Sequence, residues 1–162
     1  MKPENAKVVA EFLAKDLEHE YQTTCRVLAA LPDNQMGWQP HERGMKAGEL
    51  AWHIATSDCF FLSSIANGEF APPAKVEQPA TTAEIVAFYQ KTYPALLEKC
   101  KNLSGEQLVK ELNFLGIFVF PTVIFLNLAG NHSIHHRGQL STYLRGMGAK
   151  VPKIYGRSAD EQ

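Results

Sequence analysis

Four stretches of apolar residues at three- and four-residue spacing run through the 162-residue chain, and that spacing is the period of one buried face of an α-helix. Each stretch extends for about 20 residues or more, so a chain patterned this way must bury four stripes against one another. The first spans about Glu4 to Leu31, with Val9, Leu13, Leu17, Thr24, Val27, Leu28 and Leu31 on one face, and Leu31-Pro32-Asp33 ends it. The second, from about Ala47 to Ala66, carries Leu50, Ile54, Ser57 and Phe61 on one stripe and closes at Asn67-Gly68. In the third, Thr81-Thr82-Ala83-Glu84 reads as an N-cap with an acid in the first turn. Ile85, Tyr89, Leu96, Cys100 and Leu103 then face inward, and Pro94 falls on the opposite face, where it can kink the helix.

Ser104-Gly105-Glu106-Gln107 starts a short turn of helix at most, and the aromatic run to Phe120 reads as extended chain. Pro121 suits the first position of the fourth helix, where its missing N–H would have no intrahelical partner anyway. That helix ends near Gly146 to Gly148. The pattern predicts an all-α, four-helix bundle. With 45% hydrophobic residues, residues 1–162 are expected to form a single domain around one core.

Charge narrows the partners. Sixteen basic residues against seventeen acidic ones leave a net charge of -1, with no basic cluster to collect phosphates, so nucleic acid is not an expected partner. The most apolar stretch, Phe114 to Leu128, is too short to span a bilayer and is interrupted by Pro121 and Asn127. The start MKPENAKVVAEF has no apolar h-region, which makes the cytoplasm the expected compartment. Cys25, Cys59 and Cys100 lie far apart without a CxxC pair and read as small core residues.

Chemistry concentrates in the fourth helix, where His132, His135 and His136 fall within five residues. At about 100° per residue, Phe125, Leu128, Ala129, Leu140, Tyr143 and Met147 define an inward face. His132 and His136 lie near its centre, His135 at its edge, and Arg137 and Arg145 on the far side, in solvent. Two imidazoles one turn apart can chelate a metal, but they need a third ligand. The second helix offers His53, on the flank of its apolar stripe. Three neutral nitrogens favour zinc or nickel ahead of iron or manganese, with a position left open for water or substrate. A single inward histidine is more often a satisfied core residue than a ligand, but two buried imidazoles one turn apart would compete for donors, and a shared ion removes that conflict.

Glu20 falls on the apolar face of the first helix, where it is a candidate general base, a partner for a ligating histidine, or a rim residue. Gln139 and Tyr143 are candidates to line the site. His19 and His41 read as surface residues. Trp38 and Trp52 read as packing residues, with Trp52 also available to a dimer face.

Gly48-Glu49-Leu50-Ala51-Trp52-His53-Ile54-Ala55, Asn131-His132 through His136-Arg137-Gly138-Gln139-Leu140, and the closing Gly148 to Pro152 together resemble the DinB/YfiT-like superfamily over nearly the whole length. The resemblance implies an up-down-down-up bundle, a divalent nickel or zinc ion on His53, His132 and His136, and a homodimer. One departure is Lys46 where the family tends to have Ser or Thr ahead of Glu49, which removes the capping box at the second helix. Thiol-dependent transferases and an isomerase belong to this superfamily. The resemblance therefore implies a thiol-dependent S-transferase acting on a small molecule, with a low-molecular-weight thiol as a second cofactor. A metal-dependent hydrolase and a non-catalytic, metal-stabilised ligand- or protein-binding module are the alternatives.

Overall fold

The computed structural model describes residues 1–73 and 75–160. Four long helices carry the fold: α1 (Pro3–Ala29), α2 (Ala47–Asn67), α3 (Thr82–Lys101) and α5 (Thr122–Gly146). A short helix α4 (Gly105–Val109) and an antiparallel hairpin of β1 (Glu111–Phe114) and β2 (Phe118–Pro121) fill the connection before α5.

Contacts between the helices fix their directions. Lys7 Nζ donates to the carbonyl of Lys101 at 2.7 Å while Tyr21 stacks on Tyr93, so α1 and α3 are antiparallel. Trp52 packs on Phe88 near the start of α2, and Cys100 Sγ reaches the Leu62 carbonyl near its end, so α2 and α3 are parallel. His53 meets His136 and Phe61 meets His132, which makes α2 and α5 antiparallel. The result is an up-down-down-up bundle with α1 and α2 on a diagonal. Parallel neighbours need a long return, and the connection after α2 supplies it before Thr82 restarts the chain at the same end.

Local signals explain the boundaries. Gly68 ends α2 in the left-handed region at φ 76°, a conformation without penalty for glycine. Thr81 and Glu84 form the reciprocal cap of α3: Glu84 N donates to Thr81 Oγ1 at 3.3 Å, and Thr81 N donates to Glu84 Oε2 at 3.0 Å. Ser104 and Gln107 repeat the arrangement at α4. At α2 half of the box survives, because Lys46 N still donates to Glu49 Oε2 at 2.9 Å although an ammonium cannot accept from the helix. Pro121 stands one position earlier than expected, as the N-cap of α5 and the last residue of β2. Pro94 is exposed and α3 continues through it.

Two parts of the core differ from the sequence pattern. In the first half of α1 the buried residues are Ala6, Ala10 and Ala14, while Val9 faces solvent with Val8 and Phe12. Where α1 begins, α4 lies close against it: a Cβ on Gly105 would lie 2.6 Å from the Pro3 carbonyl oxygen. The aromatic run is extended chain, as expected, and has a defined packing role. Phe114 of the hairpin stacks on Phe61 at 5.6 Å and touches Phe70 and Phe125, closing one end of the bundle. All three cysteines are buried thiols, and no described helix is long and apolar enough to cross a membrane.

Candidate metal centre

His53 projects from α2 toward His132 and His136 on α5, and one ring nitrogen from each lies within 4.8 Å of the others. The Nε2 atoms of His53 and His136 are 3.3 Å apart. Two nitrogens each about 2.0–2.1 Å from one tetrahedral ion would stand about 3.3 Å apart, so this pair already has the separation of two ligands. All three rings are half-buried.

Each Nδ1 has a partner of its own. His136 Nδ1 lies 3.0 Å from Gln139 Oε1, and the same amide donates from Nε2 to the Tyr143 hydroxyl at 3.1 Å. With the amide oriented that way, His136 carries its proton on Nδ1 and presents a lone pair on Nε2. His53 Nδ1 lies 3.2 Å from Ser57 Oγ. His132 Nδ1 faces Asp58 Oδ1 at 3.6 Å, and these are the two buried polar atoms left without a hydrogen bond among the described residues. The other carboxylate oxygen of Asp58 accepts from Tyr89 at 2.9 Å and from Ser133 at 2.7 Å. A carboxylate or carbonyl behind the distal nitrogen of each imidazole is how metal-binding histidines are held.

The electrostatics agree with that arrangement. Burial, reinforced by the neighbouring His136 and His132 rings, pulls the His53 pKa down to about 4, and burial lowers that of His136 as well. Both rings are therefore neutral at pH 7, the state a ligand requires. At 3.3 Å the two Nε2 atoms can share one proton as an N–H···N hydrogen bond, and a cation bound between them would replace that proton. Donor type, spacing and the support behind each ring all fit a divalent transition metal.

The remaining candidates separate into two groups. Gln139 and Tyr143 belong to the site, as the chain of hydrogen bonds behind His136. Glu20 belongs to a different one. Its carboxylate is held by Arg137 Nη1 at 2.5 Å and by the Tyr155 hydroxyl at 3.0 Å, between α1, α5 and the C-terminal segment. That pairing leaves it no role as a base beside the histidines. Arg137 corrects the helical wheel: it is 1% exposed, not in solvent, because α5 is sandwiched and its second face lies on α1. Its guanidinium also donates to the Glu20 carbonyl and to Tyr155. Trp52 packs edge-on against Phe88 and is largely buried. His135, His19 and His41 are exposed. Asp58 and Ser133 were not singled out from the sequence, although an acid inside the run Ser57-Asp58-Cys59-Phe60-Phe61 is a signal that could have found the first.

The sequence profile of the DinB family matches residues 4–162. The chain belongs to the DinB family. Among its DinB relatives is the uncharacterised YjoA of Bacillus subtilis, 31% identical over 146 residues covering 88% of this chain and 90% of that one. A DinB-like protein of Bacillus cereus, of known crystal structure, is 27% identical, with a TM-score of 0.77 over 90% of this chain and 97% of that one. YfiT of Bacillus subtilis, described as a probable metal-dependent hydrolase with an unusual four-helix bundle topology, is 16% identical. It superposes with a TM-score of 0.69 over 86% of this chain and 87% of that one, which shows the shared fold.

Proposed function

We propose that this chain is a divalent-metal-dependent enzyme acting on a small molecule, with His53, His132 and His136 as ligands and a low-molecular-weight thiol as the activated nucleophile. The observation that carries this reading is the convergence of three imidazoles whose distal nitrogens each face a separate side chain. A zinc or nickel ion held there would lower the pKa of a bound thiol and leave it nucleophilic at neutral pH. The protein's own part is to orient the rings through Ser57, Asp58 and Gln139. Phe61, 5.5 Å from the His132 ring, shields one side from water.

Of the carboxylates near the rings, Glu49 stands one turn before His53 on α2 and lines the same cleft, whereas two others are engaged elsewhere. Among the described residues, Glu20 is bound to Arg137 and Asp58 stands behind His132, so neither is placed to take a proton from an attacking water. A bound thiol, like a bound water, would become the nucleophile by losing its proton to solvent or a nearby base before it attacks. Hydrolysis is the second reading, supported by the same donor set and by the description of YfiT. The test is turnover of an activated aryl halide with a small thiol, and of an aryl ester without one, by zinc- or nickel-loaded protein. Thiol-dependent turnover lost in His132→Ala supports the first reading, and thiol-independent ester cleavage lost in the same variant supports the second. Rates equal to those of the variant in both assays would end both.

A further inference from the structure

A cleft of about 810 Å³ opens between α2, α3 and the connection that joins them, and both His53 and Ser57 line it. His132 and His136 are not part of its lining, so it meets the candidate metal centre at the His53 ring and at the Ser57 hydroxyl beside its Nδ1. Its walls are largely apolar: Trp52 and Phe60 from α2, Phe88 and Leu96 from α3, and Val76 from the connection. The indole N–H of Trp52 donates to the Val76 carbonyl at 3.3 Å and so ties the connection across the helix pair. The apolar part of the lining runs along α2 from His53 to Phe60, seven residues or about 10 Å at 1.5 Å per residue, and beyond it the lining turns polar at Ser63, Ser64, Asn67 and Glu69. A volume of this size is in the range of small-molecule sites, which are mostly apolar with a few polar groups at the reacting end.

We infer that the cleft is the substrate-binding site of the enzyme, and that it takes a molecule with a polar reacting head at His53 and an unbranched apolar tail of about eight carbons laid along α2 toward Phe60. The inference rests on the metal-dependent reading above, which supplies the reacting end, and it adds the class of substrate. Two features point to a chain in place of a compact ring: the cleft is long, and its apolar side chains are spread over its length, from Trp52 and Phe88 to Leu96. Free thiols and short electrophiles would meet the histidines but leave this surface uncovered.

Alkyl hydroxamates test the idea, because the head binds zinc or nickel and the tail can be lengthened without changing it. Binding to the metal-loaded protein is followed by calorimetry from acetohydroxamate to decanohydroxamate. Metal content of every protein used is measured independently. The expected result is tightening of about two- to fourfold per added methylene, since each buried CH2 adds a roughly constant increment. Thr92→Trp and Ser63→Trp, which fill the cleft from half-buried positions on α3 and α2, should remove that dependence. In both variants the affinity for acetohydroxamate and the metal content should stay unchanged. Two filling variants are used so that poor folding of one leaves the other decisive. Metal uptake with no gain from chain length, or a gain that survives both substitutions, overturns the cleft assignment alone. Protein that takes up no metal overturns the functional reading and this inference together.

Discussion

Asp58 Oδ1 lies 3.6 Å from His132 Nδ1, and neither atom has a hydrogen bond among the described residues. The carboxylate is anchored from behind by Tyr89 and Ser133, so it is the imidazole that must turn to close the gap. An ion drawing His132 toward His53 and His136 would set the final orientation of that ring. Asp58→Asn is expected to weaken zinc or nickel binding about 10- to 100-fold, read by competition with a chromogenic chelator. The circular dichroism of the metal-free variant should stay native. Unchanged affinity would show that Asp58 only fills space.

Loss of a single ligand is expected to abolish stoichiometric binding. Wild-type protein purified without a tag or chelator should hold about one divalent ion per chain, and His53→Ala and His136→Ala should hold close to none. Elemental analysis decides it. Retention of the ion by both variants would move the site elsewhere.

The histidines also predict how stability depends on pH. The His53 pKa stands near 4 in the folded chain, against about 6.5 unfolded, and that of His136 is displaced the same way. Between the two His53 values the unfolded chain binds a proton that the folded chain does not, so stability rises with pH across that window. Metal-free protein is expected to keep its full contribution from these rings above about pH 6.5 and to lose it as the pH falls toward 4. Thermal unfolding scans give the slope, which His53→Gln should flatten; an equal slope in that variant would contradict the assignment.

Arg137 and Glu20 form a buried ion pair, 1% and 5% exposed. Removing one partner strands a charge, so Arg137→Met should destabilise by about 3–5 kcal/mol in urea denaturation. The double variant Glu20→Gln, Arg137→Met should recover part of that loss. Additive losses would mean that the two side chains act independently.

The clustering of the three histidines was legible because its signal is local: two histidines four residues apart on an apolar face lie side by side whatever packs around them, and His53 had a matching position on a second helix. The α3 cap and the α2 stop were legible for the same reason, as short-range hydrogen bonds and one glycine conformation. Arg137 was not. A helical wheel assumes one buried face, and α5 has two; its second face is written in Gly130, Ser133 and Arg137, residues that carry no apolar periodicity. The alanine stripe of α1 escaped similarly, because alanine marks an apolar face weakly and the burial of Ala6, Ala10 and Ala14 depends on which elements pack there. Extended chain was expected before Phe120, but its role depends on Phe61 and Phe70 far away in sequence. Long-range partners decided each case that periodicity missed.

His136 and Arg137 are consecutive on α5, and their side chains leave the helix about 100° apart, one toward His53 and the other into the pocket of Glu20 and Tyr155. Any roll of the helix that separated the imidazoles would therefore pull a guanidinium out of its buried pairing. The ion pair thus acts as a rotational lock for the histidines. An incoming cation would meet the His53 and His136 nitrogens already 3.3 Å apart, so that ordering is left chiefly to His132.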